Sequence, residues 1–269
     1  MFKNLRFKNL KLRTKMLVYI LSVTTIAFAA TITLVTVRAR NYAETEALDK
    51  AKQISQRYAG VVKAELEVAM DTARAMAHSL EGMKKRDVPP RDMMDGILRQ
   101  VLEKNPSFIG VWTCWEPDAM DGKDEDFINA VGHDGTGRYI PYWNRVSGTV
   151  DVEPLKNYTV ACAGDYYLVP QKTGRETIFE PFKPKVAGRT ALMTTLAVPI
   201  EYNKEIVGVA GVDIELSAFQ KIIEGINPFE TGYAFLTSNN GTLVAHPKKE
   251  IVGDNAKNYG VADTSISAI

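Results

Sequence analysis

The chain has 269 residues, of which 45% are apolar and 24% charged, and its formal net charge is +1. This composition excludes a disordered or collagen-like chain and allows one or two domains with a buried core. Residues 1–15 hold six basic side chains and no acidic one, whereas the other 27 basic residues face 32 acidic ones. The body of the chain is therefore acidic, which excludes a general nucleic-acid binder.

A membrane-spanning helix is predicted over residues 16–37. This segment has 22 residues without a charge, and as a helix it would measure about 33 Å, enough for a hydrocarbon core of about 30 Å. The basic tail, residues 1–15, then stays in the cytoplasm by the positive-inside rule, and everything from about residue 38 lies outside the inner membrane. A cleaved signal peptide is the alternative, because Ala27-Phe28-Ala29 offers small residues at a cleavage position.

A long extracytoplasmic helix is predicted over residues 38–88. Residues 41–83 contain no proline, and one apolar stripe with spacings of three and four runs along them: Tyr58, Val62, Leu66, Ala69, Ala73, Met76 and Leu80. Such a stripe fits a helix–helix seam between two copies of the chain, and it equally fits a helix that packs against its own domain. Both interpretations stay open for different stretches.

An α+β module with an antiparallel sheet is predicted over residues 89–226. Prolines at 89 and 90 break the long helix, and a second helix fits residues 91–103. Five β-branched or aromatic runs follow, at 108–115, 138–146, 177–182, 191–202 and 205–214, with a turn at 201–204 between the last two. Helical spacing returns at 216–226. Residues 227–269 hold an Asn-Gly hairpin and are predicted to open a second, incomplete module.

The sequence offers no set of residues for catalysis or for a metal ion. Cys114 and Cys162 have neither C-x-x-C spacing nor a histidine cluster, so both are expected to be small buried residues, with a disulfide as the alternative. The acidic run from 118 to 126 lacks the pattern of a calcium loop and is expected to be a solvated face. We therefore predict no cofactor, no metal and no enzymatic activity.

Five segments carry a resemblance to a known family. They are GRYIPYWNR around 138–146, GDYYLVPQKTGRETIFEPF at 164–182, LMTTLAVPI at 192–200, GVAGVDIEL at 208–216 and GYAFLTSNNGTLVAHP at 232–247. They resemble the double Cache extracytoplasmic sensor domain of bacterial methyl-accepting chemotaxis proteins and related sensor kinases. The resemblance implies PAS-like modules: a membrane-distal ligand-binding Cache module at 89–226 and the start of a membrane-proximal one at 227–269.

The resemblance also implies a function. It makes the chain the ligand-sensing part of a transmembrane chemoreceptor of the inner membrane, with the sensor domain in the periplasm or outside the cell. The expected partners are a small polar ligand (an amino acid, amine, purine or organic acid), the membrane, and a second copy of the chain along the long helix, with no nucleic acid. A histidine kinase or diguanylate cyclase is the alternative output, and a membrane-tethered periplasmic enzyme is a third reading.

Asp213 is the candidate ligand residue on which most depends. On the residues alone it fits an N-cap for the following helix or a carboxylate aimed at a ligand amine, and the cap is slightly favoured. The resemblance favours the ligand, because amino-acid-binding members of the family use an Asp in this motif for the ligand's ammonium group. Those members also carry an Arg followed by a Trp-Tyr pair, which this chain does not reproduce.

The other candidate residues are aromatic or polar groups near that motif. Arg138, Tyr142, Trp143 and Asn144 lie on the second strand run, whose alternating faces could each line a pocket. Asp165, Tyr166 and Tyr167 offer an acid with two phenols, suited to a flat or cationic ligand, although such tyrosines also pack their rings with a wet hydroxyl. Trp112 and Trp115 are predicted to face opposite sides of the first strand, and Trp115 is the one assigned to the site.

Overall fold

A computed structural model describes residues 11–86, 90–183, 185–186, 189–190, 192–229 and 231–260. The basic residues at 3, 6 and 8, the first part of the predicted helix break and the segment 261–269 lie outside the described residues. The helices are α1 (Leu12–Lys84), α2 (Arg91–Lys104), α3 (Asp165–Thr173) and α4 (Ser217–Glu224). The strands are β1 (Phe108–Trp115), β2 (Pro141–Asn144), β3 (Asp151–Pro154), β4 (Thr177–Ile178), β5 (Lys185–Val186), β6 (Arg189–Thr190), β7 (Met193–Tyr202), β8 (Glu205–Glu215), β9 (Leu236–Thr237) and β10 (Leu243–Ala245).

The chain divides into two compact units, residues 1–56 and residues 57–269. In the first unit, the described residues belong to α1, and an 18-residue window of them has a mean hydropathy of 2.1. By length and composition this helix can cross a membrane. The hydroxyls of Thr24, Thr25, Thr31 and Thr33 donate to carbonyls one turn earlier, as Thr25 does to Leu21 at 2.7 Å, so these four remain satisfied in an apolar medium.

The second unit is built on a six-stranded antiparallel sheet in the order β3-β2-β1-β8-β7-β4. Strands β7 and β8 form a long hairpin closed by Asn203 and Lys204, both with positive φ (54° and 69°), which suits the right-handed twist of the strands. The predicted α+β antiparallel architecture is confirmed. The run at 138–146 forms a strand only over 141–144, and the hairpin predicted after residue 227 is reduced to β9 and β10.

One face of the sheet packs against α1 and α2. The α1 residues buried in this core are Ala69, Met70, Ala73, Met76, Ala77 and Leu80, and they meet β-strand residues such as Leu196 and Val212. Val62 is buried in a separate cluster with Leu216, Phe219 and Val244. The apolar stripe predicted over this part of α1 thus packs against its own unit, because the sheet face opposite it is largely apolar. A dimer seam, if present, must use other positions.

The opposite face of the sheet is covered by α3, and β3 lies at one edge of the sheet; the sequence predicted neither element. Pro170 lies inside α3, and a proline in a short segment with little apolar periodicity does not look helical. The helix ends at Gly174, whose φ of 63° is the left-handed cap conformation. Tyr158 and Tyr167 join Trp112, Tyr142 and neighbouring apolar residues in a second core beneath α3.

Two expectations, on the cysteines and on the acidic run, are correct only in part. Cys162 is exposed, and only Cys114 is buried; both are free thiols. In the acidic run, Asp124 is buried rather than solvated, because the Arg91 guanidinium donates to Asp121 and Asp124 at 2.7 Å each. The local sequence does not reveal this contact, since Arg91 lies 33 residues from Asp124.

Candidate functional site

Asp213 lies in the middle of the sheet, on the face that α3 covers. The strand register pairs it with Thr195 of β7 on one side and with Gly110 of β1 on the other. Directly paired residues of an antiparallel sheet point to the same face, and Asn144 of β2 completes the row opposite Gly110. The next row on this face contains Trp112 and Tyr142, which pair with each other.

The Asp213 carboxylate is bound by neutral donors. The Thr195 hydroxyl donates to its Oδ1 at 2.6 Å, and the Trp112 indole Nε1 donates to the same oxygen at 3.3 Å. The hydroxyl of Tyr142 lies beside the same carboxylate and helps to lower its pKa, although its geometry does not meet the limits of a hydrogen bond to any described residue. In the described part of the chain no basic side chain forms an ion pair with Asp213.

Burial has the largest effect on the pKa of the Asp213 carboxyl group. Asp213 is only 5% exposed, and burial raises the pKa of its carboxyl group, while hydrogen bonds, foremost from Thr195, partly oppose the rise. A buried carboxylate without a counter-charge is costly. A cation placed beside this carboxylate would lower that pKa again.

Asp213 is not a helix cap. The N-cap position of α4 is Leu216, and no side chain makes a capping hydrogen bond there. Asp213 sits within β8, and its carboxylate is bonded across the sheet. The capping interpretation, slightly favoured by the residues alone, is wrong because β8 continues two residues beyond Asp213.

Aromatic rings surround the carboxylate. The Trp112 ring lies over Gly211, where an added Cβ would be 2.2 Å from the indole. The Tyr166 ring of α3 meets Trp112 edge-on, with centroids 5.2 Å apart and planes at 78°, while its hydroxyl donates to the Lys156 carbonyl at 2.8 Å. Together with Tyr142, these rings present π faces and edges beside a buried negative charge, an arrangement that favours a cationic group.

Arg138 and Tyr167 form a separate network at the end of β1. The Arg138 guanidinium donates from Nε to the Trp115 carbonyl at 2.8 Å and from Nη2 to the Tyr167 hydroxyl at 3.0 Å. Tyr167 in turn donates to Glu116, and Arg138 stacks over the Tyr158 ring at 4.9 Å. These contacts fasten α3 to the strand end. They also border an open cleft of about 690 Å³ whose wall includes Asp118, Glu125, Asp134 and Lys156.

The remaining predicted residues are dispersed. Trp143 lies on the opposite face, where its indole donates to Asp95 at 3.1 Å, and Trp115 belongs to the core beneath α1 and α2. Asn144 shares the Asp213 face, but its side chain bonds locally, accepting from the Val146 amide at 3.2 Å. Asp165 accepts from the Cys162 amide at 3.0 Å at the start of α3.

The structure therefore brings Asp213, Tyr142 and Tyr166 together and adds Trp112 and Thr195, which sequence reasoning did not assign to the site. The tryptophan that reaches the site is Trp112, not Trp115. A signal for this was present: a tryptophan needs a small residue opposite it in a neighbouring strand, and the glycine at 211 supplies one. Thr195 had no comparable signal, because only the strand register brings it to Asp213.

Comparisons with known proteins agree with this architecture. The family described as methyl-accepting chemotaxis protein-like, first PDC sensor domain, matches residues 94–221. The methyl-accepting chemotaxis protein TlpQ of Pseudomonas aeruginosa is 32% identical over 156 residues, a match that covers 52% of this chain and 22% of that protein. The chain thus spans about a fifth of the length of this curated relative.

Two solved structures extend the similarity over most of the chain. The extracellular domain of mmHK1S-Z2, a protein assigned as a histidine kinase, is 37% identical with a TM-score of 0.71, and the match covers 77% of this chain and 76% of that one. A structure named methyl-accepting chemotaxis protein X is 27% identical with a TM-score of 0.69, covering 79% and 78% of the two chains.

Proposed function

This chain belongs to the family of methyl-accepting chemotaxis protein-like PDC sensor domains, and from that premise we propose that it detects a small organic cation beneath α3. The single observation that carries the proposal is Asp213, a buried carboxylate without an ion pair in the described part of the chain. An ammonium group placed there gains a charge partner and a cation–π contact at once.

The geometry of the carboxylate narrows the ligand class. Its Oδ1 already accepts from Thr195 and Trp112, which leaves Oδ2 and the unpartnered Tyr142 hydroxyl to meet a ligand. A protonated amine with at least two N–H groups can donate to both of them. The amino-acid pattern of the family is absent, and the nearby Arg138 is engaged by Trp115 and Tyr167, so a ligand carboxylate has no ready bidentate partner here.

The wider receptor role is part of the same proposal. Residues 89–226 act as the membrane-distal sensing module and residues 227–269 begin a second one. Helix α1 anchors the chain in the inner membrane, with the sensor in the periplasm or outside the cell, and the chain works as a homodimer and not as an enzyme. Signalling requires the ligand to bind two arrangements of the receptor unequally, since equal binding shifts no population.

Three classes of output part are candidates. The relatives named chemotaxis proteins favour a chemoreceptor. The similarity to the extracellular domain of mmHK1S-Z2 supports a histidine kinase as the alternative, and a diguanylate cyclase is the third candidate, since one fold carries many outputs.

A thermal-shift screen of the full chain in nanodiscs tests the proposal. The panel contains ethylamine, dimethylamine, tetramethylammonium, acetate, adenine and neutral amino acids. We expect stabilisation by the amines bearing N–H groups, of about 2.7 kcal/mol at a hundred times the dissociation constant, and its loss in Asp213→Asn. Asp165→Asn is the matched control, because Asp165 binds only a backbone amide at the α3 start. Stabilisation by acetate or adenine but not by amines would contradict the cation assignment.

A further inference from the structure

The short segment that follows α3 is clamped to α1 by an ion pair. The Arg74 guanidinium donates from Nε to Glu176 Oε1 at 2.7 Å and from Nη2 to Oε2 at 2.6 Å. A third bond, from Nη1 to Asp71 at 2.6 Å, holds the guanidinium in place. This two-pronged geometry fixes direction as well as distance, unlike a single surface contact.

Glu176 lies just after α3, the helix that covers the candidate site. Only Gly174 and Arg175 separate it from the last residue of α3. The Gly174 amide donates to the Pro170 carbonyl at 2.9 Å, and the Arg175 amide donates to the Thr173 hydroxyl at 3.3 Å. These two hydrogen bonds hold the segment against the end of the helix. On its other side the segment leads into β4, an edge strand of two residues.

The other end of α3 carries the ring that closes the site. Tyr166 lies edge-on against Trp112, the residue whose indole donates to Asp213. A shift of α3 that opens this ring contact must also move the segment at Glu176. Because Arg74 of α1 donates to both carboxylate oxygens of Glu176, that shift must either displace Arg74 or break this ion pair.

We propose that Arg74 is a positioning residue for α3: through Glu176 it holds the helix over the Asp213 site and links the position of α3 to that of α1. The positioning itself is independent of the proposed function, whereas its use in ligand sensing rests on it. By reciprocity, an event that displaces α1 at Arg74 changes ligand affinity, and ligand binding beneath α3 biases α1. Arg74 and Glu176 are both about 40% exposed, so their pairing adds little to overall stability.

Hydrogen exchange of the ligand-free full chain in nanodiscs tests the positioning. In Arg74→Gln we expect amides of residues 165–178 to exchange about fivefold faster, the effect of losing a well-formed exposed pair on local opening, with α2 unchanged. Glu176→Gln should give the same increase, and the double variant no further one. Lys63→Gln, which breaks the exposed Lys63–Glu67 pair of the same helix, is the matched control and should leave α3 unchanged.

A second measurement separates transmission from a local stabilising effect. Tyr166→Ala removes the ring contact from the far end of α3. We expect it to speed exchange of residues 71–78 of α1 in the wild-type background and not in Arg74→Gln. Unchanged α3 exchange in Arg74→Gln, an equal increase in Lys63→Gln, or an identical effect of Tyr166→Ala in both backgrounds would overturn the proposal. None of these outcomes depends on an amine, so a failed ligand screen leaves this test intact.

Discussion

The indole of Trp112 lies against the backbone of Gly211 so closely that a Cβ at position 211 would be 2.2 Å from the Cε2 and Cζ2 atoms of the ring. The two residues are direct partners in the β1–β8 pairing. This contact lets a large ring lie flat on the sheet, where its Nε1 reaches Asp213 at 3.3 Å. The position of Trp112 in the site thus requires glycine at position 211.

The first prediction concerns that contact. Gly211→Ala places a methyl group inside the van der Waals radius of Trp112, so the ring must leave its position. We expect a loss of about 1–3 kcal/mol in the free energy of unfolding, as for other overpacked cores, measured by urea denaturation. Gly82→Ala is the control, because a Cβ there meets nothing within 4 Å and alanine favours the helix by up to about 1 kcal/mol. Equal stability of the Gly211→Ala variant would show that the ring is not confined.

Asp213→Asn provides the second prediction, through pH. Burial raises the pKa of Asp213, so the folded chain binds a proton more readily than the unfolded chain does. Stability therefore falls as pH rises through the interval between the unfolded and folded pKa values, and the whole loss is present above the folded pKa. Asparagine does not titrate and removes this loss.

For that variant we expect a ligand-free Tm about 3 °C higher than wild type at pH 7, the shift that roughly 1 kcal/mol produces in a unit of this size. The difference should shrink towards zero as the pH falls below about 4, where the carboxyl is protonated in both states. Calorimetric scans from pH 3.5 to 8 measure it. A difference that stays constant with pH would mean that the Asp213 charge plays no part.

Tyr142 and Tyr158 give a matched pair for the third prediction. The buried Tyr142 hydroxyl has no hydrogen-bond partner among the described residues, whereas the Tyr158 hydroxyl donates to Asp134 at 2.8 Å. Tyr142→Phe should raise ligand-free stability by about 1 kcal/mol, because an unsatisfied buried hydroxyl is removed, and Tyr158→Phe should lower it by about as much. The same Tyr142→Phe change should weaken amine binding; a loss of stability in this variant would refute the assignment.

The fourth prediction tests the buried charge network behind the site. Arg91 is 3% exposed and bonds Asp121, Asp124 and the Gly137 carbonyl. Arg91→Met leaves two carboxylates without their cation, and we expect a loss of about 3–5 kcal/mol at pH 7. Arg74→Met, which breaks an exposed pair, should lose at most about 1 kcal/mol. Equilibrium unfolding in urea compares the two variants, and similar losses would contradict the prediction.

The Arg91 network also sets a pH dependence of opposite sign to that of Asp213. The pKa of Asp121 is lowered, because the Arg91 contacts outweigh the effect of burial. Its contribution to stability is present above the unfolded pKa and is lost as the pH falls through the folded pKa. Arg91→Met should therefore be less sensitive to acid than the wild type, when each is compared with its own stability at pH 7.

The sequence by itself determined the elements whose residues carry a local period. The uncharged run and the stripe from Val62 to Leu80 fixed α1, β-branched runs fixed β1, β7 and β8, and the turn at Asn203 joined the last two. These predictions succeed because helix and strand periods depend on neighbours along the chain. Asp213 was recognised for the same reason, as a lone acid in an apolar, glycine-rich strand.

The tertiary structure decided which residues meet Asp213. Trp112 and Thr195 reach it only through the β1–β8 and β7–β8 registers, and Tyr166 reaches it only because α3 forms despite Pro170. The β1–β2 register places Trp143 on the other face of the sheet, where its indole donates to Asp95. Strand register and the docking of a short helix are set by long-range packing, in which a shift of one residue exchanges the two faces of a strand, and no local pattern in the chain encodes that choice.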